Sequence, residues 1–395
     1  MKLLKFIPFV IILLSVFLIS CENPVVPEEP PVKCEVTVSA KSLSLEIGDS
    51  QEISAKVNSL NGSNCKNEVI WIASNSSVSI EKVDNSTALV TALSEGSVDV
   101  TAQSIDDSLA TAKSVIRINF SPVMVFWNSN GLNSGLSLIN STGKTKQLTD
   151  YVSKDHRPNW LPDGNKISFL STRETGSSDI FTINIDGSEM KNITPNLFVV
   201  VSHNWSPDGN IVVATIQPNE GDPFEIYTLD MLSNELKRLT FEEVTNGKVP
   251  SGAVWSPDGS KILFSTARDG NAEIYSMNPD GLNKVNLTQS PESNEFGSVI
   301  SSDGEKIFFS SDKNGSSNIY SMNLDGSNVT KISNFSKGYN IFDLDLSKDG
   351  SKIAFAKMHE DGGPIEIWTI DINSSEEELL INKGSSRYPK WRPSK

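Results

Sequence analysis

The sequence predicts an all-β protein, an Ig-like β-sandwich followed by a six-bladed β-propeller. Two observations carry that expectation. An Asp-Gly hairpin turn returns in phase along the downstream two-thirds of the chain, and each return opens a run of short strands with period-2 alternation. Upstream lies a stretch of about one Ig-domain length, which turn residues cut into seven or eight short strands of its own.

The repeat is plainest from Trp255 to Thr288, WSPDGSKILFSTARDGNAEIYSMNPDGLNKVNLT. Pro257 presets φ at the second corner of the first turn, and Gly259 supplies the positive φ of a bulged hairpin. KILFS reads as a strand, Arg268-Asp269-Gly270-Asn271 breaks it, EIYSM follows, Pro279-Asp280-Gly281 turns again, and KVNLT closes. Equivalent Asp-Gly turns start at Asp163, Asp208, Asp258, Asp303 and Asp349, so the spacings by subtraction are 45, 50, 45 and 46. Each copy then sets an acid or amide before an Ile-aromatic pair: Asp179-Ile180-Phe181, Glu225-Ile226-Tyr227, Glu273-Ile274-Tyr275, Asn318-Ile319-Tyr320 and Glu366-Ile367-Trp368. Most copies end on a Leu/Ile-Thr/Ser step, as at Ile193-Thr194, Leu239-Thr240, Leu287-Thr288 and Ile332-Ser333. Four strands every ~40–50 residues is the period of a propeller blade.

The two ends complete the count. Residues 123–149 supply three strands and the terminal Leu148-Thr149, but no turn strand before them. Tyr388-Pro389-Lys390-Trp391-Arg392-Pro393 has the character of that missing strand, and Ser394 falls 45 residues after Asp349. The simplest closure stitches the C-terminal strand into the first blade, which leaves no open sheet edge and gives six blades over 122–395.

These blades resemble the propeller repeats of the TolB family, in which a W-S-P-D-G turn is followed by an I-Y pair and a D-G turn. Some copies depart from the pattern. Leu161 stands where others have Ser, Ile300-Ser301-Ser302 and Leu346-Ser347-Lys348 lack both Trp and Pro, and Asp230-Met231-Leu232 replaces one second Asp-Gly turn. Such departures are expected to weaken single turns and leave the fold intact.

In residues 1–20, Lys2 and Lys5 precede an apolar run from Phe6 to Ile19, the pattern of an export signal and short for a spanning helix. The run ends Leu18-Ile19-Ser20-Cys21, which resembles the bacterial lipobox. That resemblance implies cleavage before Cys21, a diacylglycerol thioether on its sulfur and acylation of the new amine, a stable membrane anchor. Glu22 follows without an Asp-type inner-membrane retention signal, so the expected location is the outer membrane of the bacterial envelope, on its periplasmic or surface face. Residues 21–33, rich in Pro and Glu, read as a semi-rigid tether.

Residues 34–119 give the strands CEVTVSA, SLSLEI, QEISAKV, EVIWIA, VSIEKV, TALVTAL, SVDVTAQ and AKSVIRI, punctuated at Gly48-Asp49, Asn61-Gly62 and Glu95-Gly96. The pattern resembles the bacterial Ig-like group 2 family. It implies a spacer or adhesive module, Trp71 in the core and Gly96 in the turn before the penultimate strand. With Cys21 assigned to lipid, Cys34 and Cys65 remain, and an oxidising compartment favours a disulfide between them over two separate thiols. No flexible stretch separates the sandwich from the propeller at Ser121-Pro122, so rigid stacking is expected.

The formal net charge is −15, a field that repels phosphate backbones and excludes nucleic acid as a partner. Catalytic and metal signals are poor. His156, His203 and His359 are the only histidines, none at i,i+4, and no H-E-x-x-H occurs. There is no G-x-S-x-G, and Gly143-Lys144-Thr145 lacks the upstream Gly of a P-loop. The turn with part of a calcium loop's look, Asn278-Pro279-Asp280-Gly281, lacks the downstream acid, since Leu282 to Thr288 contains none. Trp160, Trp205, Trp255 and Trp391 recur in phase with the turn, which places them between blades rather than on a sugar platform. A non-catalytic protein without cofactor or metal is expected.

What remains is loop surface. The Asp-Gly hairpins belong to one face of the propeller. The loops after each second strand and those between blades surround the funnel on the other face, where loops carry function. Inter-blade candidates are Tyr151, His156, His203, Phe296, Tyr339 and Tyr388, beside Lys154, Asp155 and Phe198. Intra-blade candidates are Arg173, Arg268, Lys313 and His359, beside Gln217 and Asp361. Aromatics flanked by charge suit a protein or peptide, and resemblance to TolB implies an envelope partner docked over the funnel. TolB proteins, however, carry an α/β N-terminal domain where this chain has an Ig-like one. A surface glycan is the alternative ligand. A propeller polysaccharide lyase, built on clustered His and a metal, is the catalytic alternative.

Overall fold

The computed structural model describes residues 31–129, 131, 134–174, 176–195, 199–241, 249–313, 315–382 and 384–393. The leader, Cys21, nearly all of the tether and Phe198 lie outside the described residues.

The sandwich has eight strands: β1 (Cys34–Val38), β2 (Ser42–Glu46), β3 (Ser50–Ser59), β4 (Val69–Ala73), β5 (Val78–Lys82), β6 (Thr87–Ala92), β7 (Gly96–Ser104) and β8 (Thr111–Asn119). They form two sheets, in the orders β1-β3-β6-β5 and β2-β8-β7-β4. The β2–β8 pair is parallel, a feature that alternation alone does not reveal. Period-2 alternation buries Ala88, Val90 and Ala92 of β6 against Val98 and Val100 of β7, at roughly 1.5–3 kcal/mol for each full-sized side chain. Trp71 lies half-buried where two core clusters meet, and Gly96 opens β7 with φ +134°. A disulfide joins Cys34 to Cys65, their Cα atoms 6.0 Å apart.

Six four-stranded sheets follow. Blade 1 combines Pro122–Ser129, Ser134–Asn140 and Thr145–Gln147 with the last strand of the chain, Ser385–Trp391, which pairs antiparallel to Pro122–Ser129 with Trp391 opposite Met124. Blades 2 to 6 begin at the innermost strands His156–Trp160, Val199–Trp205, Ser251–Trp255, Glu295–Ile300 and Tyr339–Leu346, each leading into three further strands of the same sheet. The ring is closed by its two ends.

Two small hydrogen-bonding devices explain the repeat. In the first turn of blade 3, Ser206 Oγ donates to Asp208 Oδ1 (2.6 Å) and accepts from the Ile211 amide (2.9 Å), while Asp208 Oδ1 accepts from the Asn210 amide (3.1 Å). The same bonds form at Ser256 and Asp258, at Ser301 and Asp303, and at Ser347 and Asp349. Blades 5 and 6 therefore keep the turn without its Trp and Pro, because Ser and Asp carry it. The expected weakening appears only in blade 2, where Leu161 has no hydroxyl and Asp163 alone caps Asn165 (2.9 Å).

The second device joins the acid-Ile-aromatic triplet to the closing Thr. Thr240 Oγ1 donates to Glu225 and accepts from the Ile226 amide (2.9 Å). Thr194 with Asp179, Thr288 with Glu273, and Ser333 with Asn318 repeat the arrangement. The in-phase Trp residues pack between blades. Trp160 Nε1 donates to Lys390 O of blade 1 (2.9 Å), Trp205 Nε1 donates to Ser168 Oγ of blade 2 (2.8 Å), and Trp255 packs on Val213 and Ile226 of blade 3.

The sandwich docks on the Asp-Gly side of blade 1. The Ser121 amide and hydroxyl donate to the Glu46 carboxylate (2.7 and 2.8 Å), and Asn140 Nδ2 and Thr142 Oγ1 donate to Ile47 O (2.9 and 2.6 Å). Lys146 pairs with Glu95 across the same seam. Gly48 is required there: its φ is +99°, and a Cβ would lie 2.6 Å from Thr142 Oγ1.

Candidate functional site at the funnel mouth

Each innermost strand runs from the funnel mouth toward the Asp-Gly face, and each slips register with its neighbour along its length. Such bulges re-aim side chains. Three residues before the blade Trp, or the Ile or Leu standing in for it, the six strands carry Arg157, Ser202, Gly252, Gly297, Asp343 and Tyr388. Five of these positions are left-handed, with φ of 49° at Arg157, 64° at Gly252, 61° at Gly297, 57° at Asp343 and 53° at Tyr388. Glycine adopts that conformation freely, whereas an L side chain does so at a cost of roughly 1–2 kcal/mol. Together the six line a central cavity of about 110 Å³.

The three side-chain-bearing, strained positions fall on consecutive blades, 6, 1 and 2, and form one cluster. Arg387 donates from Nε and Nη2 to Asp343 (2.8 and 3.3 Å) and stacks on the rings of Phe342 (4.4 Å) and Tyr388 (4.6 Å). The Arg157 guanidinium lies over the same Tyr388 ring at 5.0 Å. Lys390 Nζ reaches Asp345 Oδ1 (3.0 Å), whose other oxygen accepts from the Trp391 amide (2.7 Å). Burial pushes the Asp345 carboxyl above its ordinary range, against the pull of Lys390.

A larger recess of about 610 Å³ opens beside this cluster on blade 1, lined by Trp127, Tyr151, Lys154, His156, Arg387 and Tyr388 among others. Trp127 meets Tyr388 edge-on (6.5 Å), and Asn128 Nδ2 donates to Tyr151 Oη (2.9 Å). His156 Nδ1 lies 3.1 Å from Lys154 O, which makes that nitrogen the donor, and burial lowers the ring's pKa. His203 is deeper. Its Nε2 meets Ser168 Oγ at 2.8 Å and its buried Nδ1 has no partner. Burial first, then repulsion from the nearby Arg157, His156 and Lys390, pushes its pKa down to about 3, so the imidazole is neutral at neutral pH.

The other sequence candidates line neither cavity. Arg173 is committed to structure: it donates to both oxygens of the fully buried Asp155 (2.9 and 2.7 Å) and stacks on Phe169 and Phe181. Arg268 lies over the Tyr275 ring at 5.2 Å. Phe296 is 47% exposed at the start of the innermost strand of blade 5. Tyr339 and His359 contact edge to face on blade 6 (5.1 Å), and Lys313 is exposed on blade 5. Tyr151, His156 and Tyr388 thus share one recess, and His203 and Tyr388 share the central cavity. Sequence reasoning missed Trp127, Arg157, Asp343 and Arg387. For Arg157 and Asp343 the signal was present at the position three before each blade Trp or its stand-in, which reads Arg, Ser, Gly, Gly, Asp, Tyr around the ring. Among the described residues, no group of three or more His, Cys, Asp or Glu is placed to hold a metal ion.

The family model for the TolB beta propeller domain matches residues 119–253 and 242–395, well over half of the chain. The chain belongs to this TolB propeller family. The model for the bacterial Ig-like domain (group 2) matches residues 34–115. The uncharacterized protein Atu1656 of Agrobacterium fabrum is 31% identical over 164 residues, covering 41% of this chain and 54% of that protein. The Tol-Pal system protein TolB of Anaeromyxobacter sp. (strain K) is 27% identical over 119 residues, 30% of this chain and 26% of that one. The matched stretches therefore span about half or less of these two relatives. The crystal structure of TolB from Acinetobacter baumannii superposes with a TM-score of 0.58 at 15% identity, over 92% of this chain and all of that one, a likeness of fold.

Proposed function

We propose that the protein is a non-catalytic lipoprotein of the bacterial envelope, anchored through Cys21, whose propeller docks a protein or peptide over the funnel mouth. The observation that carries this reading is the placement of the sandwich. It takes up part of the Asp-Gly side at blade 1, through Glu46, Ile47 and Glu95, and leaves the mouth with its Trp127–Tyr151–Tyr388 recess open. A mixed aromatic and cationic recess suits a protein hot spot. One relative, a Tol-Pal system protein, supports an envelope role. Outer-membrane attachment, on the periplasmic or surface face, follows from the lipobox and the absence of Asp after Cys21.

The test is affinity capture from detergent-solubilised envelope with the mature chain and with a Tyr151→Ala/Lys154→Glu variant. The wild type is expected to recover a discrete envelope protein that the variant loses. Recovery of nothing above background, together with binding to a glycan array, would replace the protein partner with a sugar.

A further inference from the structure

We infer that the channel mouth receives a carboxylate of an acidic peptide, with Arg157 as its binding residue. The inference rests on the docking function above and names the chemistry of the docked segment.

Charge pairing singles out Arg157. Lys390 of the cavity wall is neutralised by Asp345, and Arg387, beside the wall residues Asp343 and Tyr388, is neutralised by Asp343. The Arg157 side chain, among the described residues, has neither a hydrogen bond nor an ion pair, and its one contact of note is the Tyr388 ring. One uncompensated guanidinium therefore points at the cavity in a chain of net charge −15. Its backbone is also held left-handed, at a ring position where two other blades use Gly. A strained backbone under a functional side chain is a recurrent feature of binding sites.

The opposite half of the ring supplies room and donors. Ser202, Gly252 and Gly297 face the cluster with little or no side chain, and a Cβ at Gly252 would meet nothing within 4 Å. Ser298 and His203 belong to the cavity wall, and the buried Ser298 Oγ and His203 Nδ1 have no partners. Ser168 Oγ accepts from Trp205 Nε1, and its own proton has a 2.8 Å path to His203 Nε2 against 3.4 Å to Asn159 O. The shorter path makes Nε2 an acceptor and leaves the proton on Nδ1, in the cavity wall. A guanidinium fork with hydroxyl and imidazole donors matches the geometry of a carboxylate. The cavity, about 110 Å³, is far below the size that drug-sized ligands need and accepts one side-chain head or a chain terminus. The adjoining recess at Trp127 and Tyr151 accommodates the flanking residues.

The experiment uses an array of capped octapeptides in which Asp and Glu are exchanged for Asn and Gln, in amidated and free-acid forms, probed with the full mature chain. The wild type is expected to prefer the acidic members. Arg157→Asn is expected to cut that preference by roughly tenfold to a hundredfold, the worth of a hydrogen bond to a charged group. Asn tolerates left-handed backbone, so its melting temperature should equal or exceed that of the wild type. Arg157→Lys should retain part of the preference. An unchanged preference in Arg157→Asn would overturn the inference, as would a lower melting temperature, which marks the guanidinium as structural. Binding of peptides without regard to acid removes the carboxylate and leaves the docking function standing. Binding of no peptide, or of uronate oligosaccharides instead, removes both.

Discussion

His203 shows how burial decides chemistry at a single residue. Its ring sits in the channel wall with one nitrogen on Ser168, and its pKa falls from 6.5 to about 3. The unfolded chain therefore binds a proton between those values that the folded chain refuses. Stability is fully present above about pH 6.5 and is lost on acidification, on the order of 3 kcal/mol by about pH 4. Glu295, raised by burial, contributes with the opposite sign, so the informative quantity is the difference between wild type and His203→Gln. The wild type should lose more melting temperature than the variant between pH 7 and pH 4. Parallel curves would mean that water reaches the ring. Little of this was legible in the sequence. His203 stood out as a candidate for the funnel, but its neutrality depends on Ser168, 35 positions earlier, meeting it across two blades. Arg157 shows in the sequence only as one member of the varied position three before each blade Trp, because what distinguishes it is a backbone angle and an absent partner.

Elements were far more legible than residues, for a physical reason. A blade cannot bury its faces alone, so the same strands and turns return each ~40–50 residues, and repetition amplifies a weak local signal. The role of the closing Thr was still hidden. Pairing Thr240 with Glu225 requires knowing the register that brings residues 15 apart together. The departures in blades 5 and 6 misled in the other direction: Trp and Pro look essential, yet Ser301 and Ser347 hold those turns. Closure is the element on which the ring depends. Ser385–Trp391 bonds to Pro122–Ser129, Trp391 packs beside Met124 and Ala354, and Trp160 donates to Lys390 O. Removing residues 388–395 exposes an edge on blade 1 and strips one wall of the channel. The truncated chain should melt at lower temperature and over a wider range, with faster amide exchange in Pro122–Ser129. A melt that matches the parent would mean that the C-terminal strand is an accessory to the ring.

At the scale of the whole molecule, strand direction fixes which way the mouth faces. β3 begins at Ser50, next to the Ile47–Gly48 seam with the propeller, and ends at Ser59, opposite Cys34. The chain thus enters the sandwich at the end away from the propeller, and the mouth lies beyond the propeller's far face. A tether at the N-terminus would hold the binding face outward from the anchoring surface, with the sandwich as a spacer. This arrangement works only if the seam is stiff, and the seam is small: Glu46 on Ser121, Ile47 on Asn140 and Thr142, and Glu95 on Lys146. Gly48 sits at its tightest point, left-handed and against Thr142. Gly48→Val adds both a strained φ and a clash there, and so should open the seam while leaving both cores intact. Small-angle scattering should show a larger radius and a broader distance distribution for the variant, with the melting of the propeller unchanged. If the scattering profile stays as it was, Ser121 and its Glu46 contacts suffice to hold the two domains in line.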